Sequence, residues 1–138
     1  MLTRTGLLIA LVLVALFLAG CGEAKAKFEN DNDVIKAAEK HTFTDCNQKA
    51  APLIGATSGR SCLVYFGNVR FVNNDGGGRV NIYVFDGDAK NLCQKNAWCQ
   101  EGAKTYPVKY TANAAIFGQD NSTNTTNTLT TLIADIED

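Results

Sequence analysis

Cys62-Leu63-Val64-Tyr65-Phe66-Gly67-Asn68-Val69-Arg70-Phe71-Val72 leads, through Asn73-Asn74-Asp75-Gly76-Gly77-Gly78, into Arg79-Val80-Asn81-Ile82-Tyr83-Val84-Phe85, and on this stretch the fold turns. Both flanks are rich in β-branched and aromatic residues, and the Asn/Asp/Gly run between them has the composition of a turn. In the second flank Val80, Ile82 and Val84 share one face and Asn81, Tyr83 and Phe85 the other, because strand side chains alternate. Gly67-Asn68 reads as a two-residue turn, which gives a three-strand meander, or as a bulge in one long strand. The glycine run lacks the GxxxxGK[ST] pattern and no helix follows it, so it is a hairpin loop and not a phosphate cradle.

Outward from this centre the signals weaken. Toward the N-terminus, Thr42–Ser61 is turn-rich, with Pro52, Gly55 and Gly59. Asp33–His41 reads as a short helix capped by Asn32 or Asp33, with Val34, Ala37, Ala38 and His41 on one face. Toward the C-terminus, Asp86-Gly87-Asp88 is a turn without the ligand spacing of a calcium loop. Thr105–Thr111 reads as a strand, with Pro107 marking an edge or a strand start. Ala114–Phe117 is a further short strand, and Asn121–Thr128 a solvated Asn/Thr/Ser loop. Leu129, Leu132, Ile133 and Ile136 follow the i, i+3, i+4, i+7 spacing of a C-terminal helix. The fold class is mainly β (α+β): a small antiparallel sheet or sandwich with short N- and C-terminal helices.

The chain has 138 residues with 13 basic and 14 acidic side chains, for a net charge of -1. There is no basic stripe, so nucleic acid is not an expected partner. Residues 33–138 are enough for one core and too few for two.

The first residues carry an address. Met1–Arg4 holds one cation, and Gly6–Leu18 is apolar and uncharged. At about 1.5 Å per helical residue it spans roughly 20 Å, short of the ~30 Å hydrocarbon core, as in a signal peptide. Leu18-Ala19-Gly20-Cys21 then resembles the lipobox of bacterial lipoproteins, an aliphatic residue and two small ones before cysteine. The resemblance covers residues 1–21 and implies cleavage after Gly20, a thioether lipid on Cys21 and acylation of the new amino terminus. It makes the lipid the membrane partner. With Gly22 and not Asp next, it places the protein in the cell envelope, on the outer membrane facing the periplasm in a Gram-negative host. Residues 21–32, polar apart from Phe28, read as the lipidated N-terminus and a flexible tether.

Export makes the remaining cysteines an oxidised set. Cys46, Cys62, Cys93 and Cys99 are an even number, and order favours Cys46–Cys62 with Cys93–Cys99 because short loops close most cheaply. No C-x₂-C pair is present and His41 is the single histidine, so no metal or other cofactor is expected. Catalytic patterns are equally scarce. His41, Asp45 and Cys46 suggest a nucleophile, but a disulfide would consume the thiol. Ser58-Gly59 is not a G-x-S-x-G elbow, and no C-x-x-C redox pair occurs.

The leading reading is therefore a non-catalytic, membrane-anchored binding module with a protein partner in the envelope. Inhibition or exclusion of a lysozyme, phage or conjugating partner is one alternative, and a structural subunit of an envelope or secretion complex another. Trp98, Tyr83 and Tyr106 are the candidate contact residues, with Tyr65 and Tyr110 behind them. The plainer expectation for Trp98 is packing on the core beside the Cys93–Cys99 bridge.

Overall fold

The computed structural model describes residues 27–47, 54–67 and 77–138. The lipobox, the alanine-proline stretch before Ile54, and the choice between turn and bulge after Gly67 lie outside the described residues. Helix α1 (Asp31–Ala37) is followed by strands β1 (His41–Asn47), β2 (Ser58–Phe66) and β3 (Gly78–Val84). Helices α2 (Ala89–Lys95) and α3 (Ala97–Thr105) come next, then β4 (Val108–Thr111), β5 (Ala114–Gly118) and α4 (Thr123–Glu137). The five strands form one antiparallel sheet in the order β1-β2-β3-β5-β4. This is the expected α+β class, stapled by Cys46–Cys62 and Cys93–Cys99 as the loop-length argument favours.

Strand alternation gives the sheet two covered faces. Cys62, Val64, Val80, Ile82, Val84, Ala114 and Ile116 point to α1 and α4, where Val34, Leu129, Leu132 and Ile136 bury against them. Tyr83, Phe85, Ala115 and Phe117 point the other way, to α2 and α3. Each fully buried aliphatic side chain contributes roughly 1.5–3 kcal/mol over an exposed one. Together the two sets explain why both faces of β3 are apolar.

Helix α4 begins earlier than composition suggests. The Asn/Thr tract is not a loop: Ser122 caps the helix, its hydroxyl accepting from Thr125 N at 3.2 Å. Threonine hydroxyls then donate back one turn, Thr126 to Ser122 O and Thr130 to Thr126 O. Thr125 and Thr128 are buried against two strand glycines. A Cβ on Gly78 would lie 2.9 Å from Thr125 Cα, and one on Gly118 would lie 2.5 Å from Thr125 Cγ2. Close packing on the sheet thus overrides the weak helix propensity of threonine.

The N-terminal elements also differ from expectation. Asn30, not Asn32 or Asp33, caps α1, in a reciprocal box with Asp33. The helix stops at Ala37 and His41 starts β1. Phe28, assigned by composition to a tether reaching Asn32, is 5% exposed and belongs to the core. Asn113 holds it there. This side chain, buried in the tight β4–β5 turn, accepts from Lys27 N and Phe28 N at 3.0 and 2.9 Å. It also donates to Phe28 O and Phe85 O at 2.6 and 2.9 Å. All four hydrogen bonds that an amide of this kind makes are satisfied. The turn-rich reading of Thr42–Ser61 gives way at both ends to β1 and β2. A bulge between Thr44 and Asn47, with Asp45 at φ 50, turns Cys46 toward Cys62.

Candidate binding cleft

Between β3 and β4 the chain crosses over the second sheet face as two short helices joined at Asn96. Sequence composition suggested only a closed loop between Cys93 and Cys99. Helices form because each turn has a cap: Asp88 accepts from Asn91 N at 2.8 Å, and Asn96 from Cys99 N at 3.0 Å. Cys93 and Cys99 are both fully buried and bridged, which fixes the first turn of α3 on the sheet. Trp98 sits on that turn and faces outward, 70% exposed. The expectation that it packs on the core fails because Cys99, its neighbour, occupies the inward position.

Trp98 borders a cleft of about 360 Å³ over the β3–β5 edge of α3. Tyr83, Tyr106 and Ile54 line it with Phe117, Asn81 and Gln119. The three contact candidates named from sequence, Trp98, Tyr83 and Tyr106, therefore meet in one place. Tyr83 is buried and packs edge-on against Phe117, their centroids 5.7 Å apart, so these two form a rigid floor. Burial raises the Tyr83 hydroxyl above the ordinary tyrosine range. Tyr106, the residue that ends α3, keeps 42% of its surface open. Tyr65 and Tyr110 are elsewhere: Tyr65 is buried with its ring against Gly77, and Tyr110 donates to Cys93 Sγ at 3.4 Å.

The polar side of the cleft was not singled out by sequence reasoning. Gln119 Nε2 donates to Ser61 Oγ at 2.5 Å and to Asn81 Oδ1 at 2.8 Å. Asn81 shares the strand face of Tyr83, so alternation could have placed it. Gln119 carried no local signal, because its partners are 38 and 58 residues away. Among the described residues, no Asp, Glu, Lys or Arg lines the cleft.

A second cluster lies on the opposite face. His41 Nδ1 is 2.7 Å from Asp135 Oδ2, and Nε2 is 3.1 Å from Thr131 Oγ1. Asp135 Oδ2 also accepts from Lys40 N at 2.8 Å. Acid, imidazole and hydroxyl in a row are the parts of a nucleophilic triad. Here the hydroxyl also lies 3.1 and 3.2 Å from Thr128 O and Asn127 O, within its own helix. The His41 side chain is completely buried. The arrangement ties α4 to the start of β1. Cys46, near His41 in sequence, is held in the Cys46–Cys62 bridge and is no free nucleophile.

Comparison with family models, curated proteins and solved structures finds no match for this chain. Among the described residues no group of three His, Cys, Asp or Glu is placed to hold a metal ion.

Proposed function

We propose that this protein is a membrane-anchored, non-catalytic binding module of the bacterial cell envelope, and that its partner, in the first instance an envelope protein, docks at the Trp98 cleft. The convergence of Trp98, Tyr83 and Tyr106 on one cleft carries the reading. An exposed tryptophan costs solubility, and a large rigid ring gains much contact area with little entropy loss on binding. Its position is fixed beforehand by the Asn96 cap and the Cys93–Cys99 bridge, which lowers the cost of ordering on association.

The sheet edges are poorer docking sites. On one side β1 carries a bulge and the exposed Asp45, and on the other β4 has four residues and follows Pro107. Strand addition is therefore disfavoured against docking on the aromatic cleft. The lipid on Cys21 supplies position, on the outer membrane facing the periplasm where the host is Gram-negative. Cys21→Ser leaves an uncut or unanchored chain, and normal membrane retention of a processed product would contradict the anchor.

Crosslinking in intact envelopes tests the site. Wild type, Trp98→Ala and Phe66→Ala are compared, Phe66 being 61% exposed and packed against His41 on the far face. The reading requires a partner lost with Trp98→Ala and kept with Phe66→Ala. An unchanged partner set, or none, removes it.

A further inference from the structure

We infer that the chemical group recognised in the Trp98 cleft is an uncharged oligosaccharide. This rests on the cleft being the binding site, and it assigns the part of the partner that enters.

Three features select the ligand. The first is charge. With no ionised side chain among the described residues that line the cleft, an anionic or cationic ligand would lose water there without gaining a counter-charge from them. The second is the pair of open rings. Trp98 and Tyr106 present 70% and 42% of their surfaces beside the buried Tyr83 and Phe117. A pyranose has one face of C–H groups, which packs flat on an aromatic ring, and a rim of hydroxyls that does not.

The third feature decides between ligands that share the first two. Gln119 Nε2 spends both protons on Ser61 and Asn81. That fixes the amide planes and leaves Gln119 Oε1 as acceptor and Asn81 Nδ2 as donor, neither hydrogen-bonded among the described residues. A sugar hydroxyl donates and accepts at one atom, so adjacent hydroxyls satisfy both groups. A proline-rich segment, the usual guest of aromatic grooves, has carbonyls but few N–H groups. It would leave Gln119 Oε1 without a partner, at the cost of an unmet buried acceptor. The volume, about 360 Å³, lies at the small end of the range for small-ligand sites, about 300–1,000 Å³. It suits one or two sugar rings of a longer chain.

The chain contains one tryptophan, so its emission reports on the cleft alone. The full chain in detergent is titrated with chitotetraose, cellotetraose and maltotetraose, and separately with a decaproline peptide. At least one tetrasaccharide is expected to shift the emission saturably. Gln119→Ala then weakens that titration by about tenfold, the loss of one neutral hydrogen bond, and Phe66→Ala leaves it unchanged. By calorimetry, Trp98→Phe retains binding through its ring and Trp98→Ala abolishes it, with equal melting temperatures showing that both are folded. No saturable shift with any tetrasaccharide, a shift indifferent to Gln119→Ala, or saturation by decaproline alone overturns the inference. If a crosslinked partner still depends on Trp98 while no tetrasaccharide binds, the saccharide assignment falls and the binding module stands.

Discussion

The imidazole of His41 and the carboxylate of Asp135 meet at 2.7 Å across 94 residues of sequence, joining the first strand to the last helix in a site closed to water. Asp135 serves two donors there, His41 Nδ1 and Lys40 N. Asp135→Ala strands both, and a buried polar pair broken on one side costs about 3 kcal/mol. Thr131→Ala removes only the hydroxyl beside Nε2 and costs about 1 kcal/mol. Urea unfolding of the two variants measures the difference. Equal losses would mean that the imidazole–carboxylate contact does not tie these elements together.

Asn113 anchors the chain entering the domain. Asn113→Ala leaves the Phe28 and Phe85 backbone groups without this partner, and the loss is put at about 3 kcal/mol, at 1–3 kcal/mol for each buried group left unmet. It also frees Lys27 and Phe28, so limited trypsin digestion cuts after Lys27 faster than in the wild type. An unchanged cutting rate at Lys27 would show that another contact holds the segment.

The two bridges close loops of different length, and their removal differs accordingly. Cysteine separations of 16 and 6 residues correspond to about 3 kcal/mol for Cys46–Cys62 and about 2 kcal/mol for Cys93–Cys99. The smaller loss has the larger effect on the cleft, because Cys99 fixes the turn that carries Trp98. The Cys93→Ser/Cys99→Ser double variant is expected to keep its fold while the fluorescence anisotropy of Trp98 falls. Anisotropy equal to wild type would assign the order of Trp98 to the Asn96 cap alone.

Burial raises the hydroxyl pKa of Tyr83 and of Tyr110 above the ordinary value of 10.0. A raised value favours the protonated fold, so this contribution to stability is complete below pH 10 and lost as pH climbs through the folded-state values. Absorbance at the phenolate band shows a late-ionising component that Tyr83→Phe and Tyr110→Phe each reduce. A late component unchanged by both substitutions would mean the helix α2–α3 face is open to water.

Much of the sheet was legible because alternation is a short-range signal. Val80, Ile82 and Val84 fall on one side and Tyr83 and Phe85 on the other, as the sequence reads. The disulfide pairing followed from loop length. What escaped the sequence depends on partners far along the chain. Thr125 and Thr128 lie in a helix because Gly78 and Gly118 allow close approach, and threonine composition alone points elsewhere. Phe28 looks like part of a tether until Asn113, 85 residues on, supplies its hydrogen bonds. At the cleft the aromatic walls were identifiable by residue type. Gln119 was not, because an amide acquires meaning only from the Ser61 and Asn81 groups that orient it.

On the proposed lipid anchor, the seating of Phe28 would set how far this protein can lean out from a bilayer. Five residues lie between Cys21 and Lys27, so such an anchor would reach about 20 Å at full stretch, and not the longer distance that counting to Asn32 allows. A partner of the domain would then be met close to the bilayer, and the proposed anchor would act as a filter on which molecules come within reach.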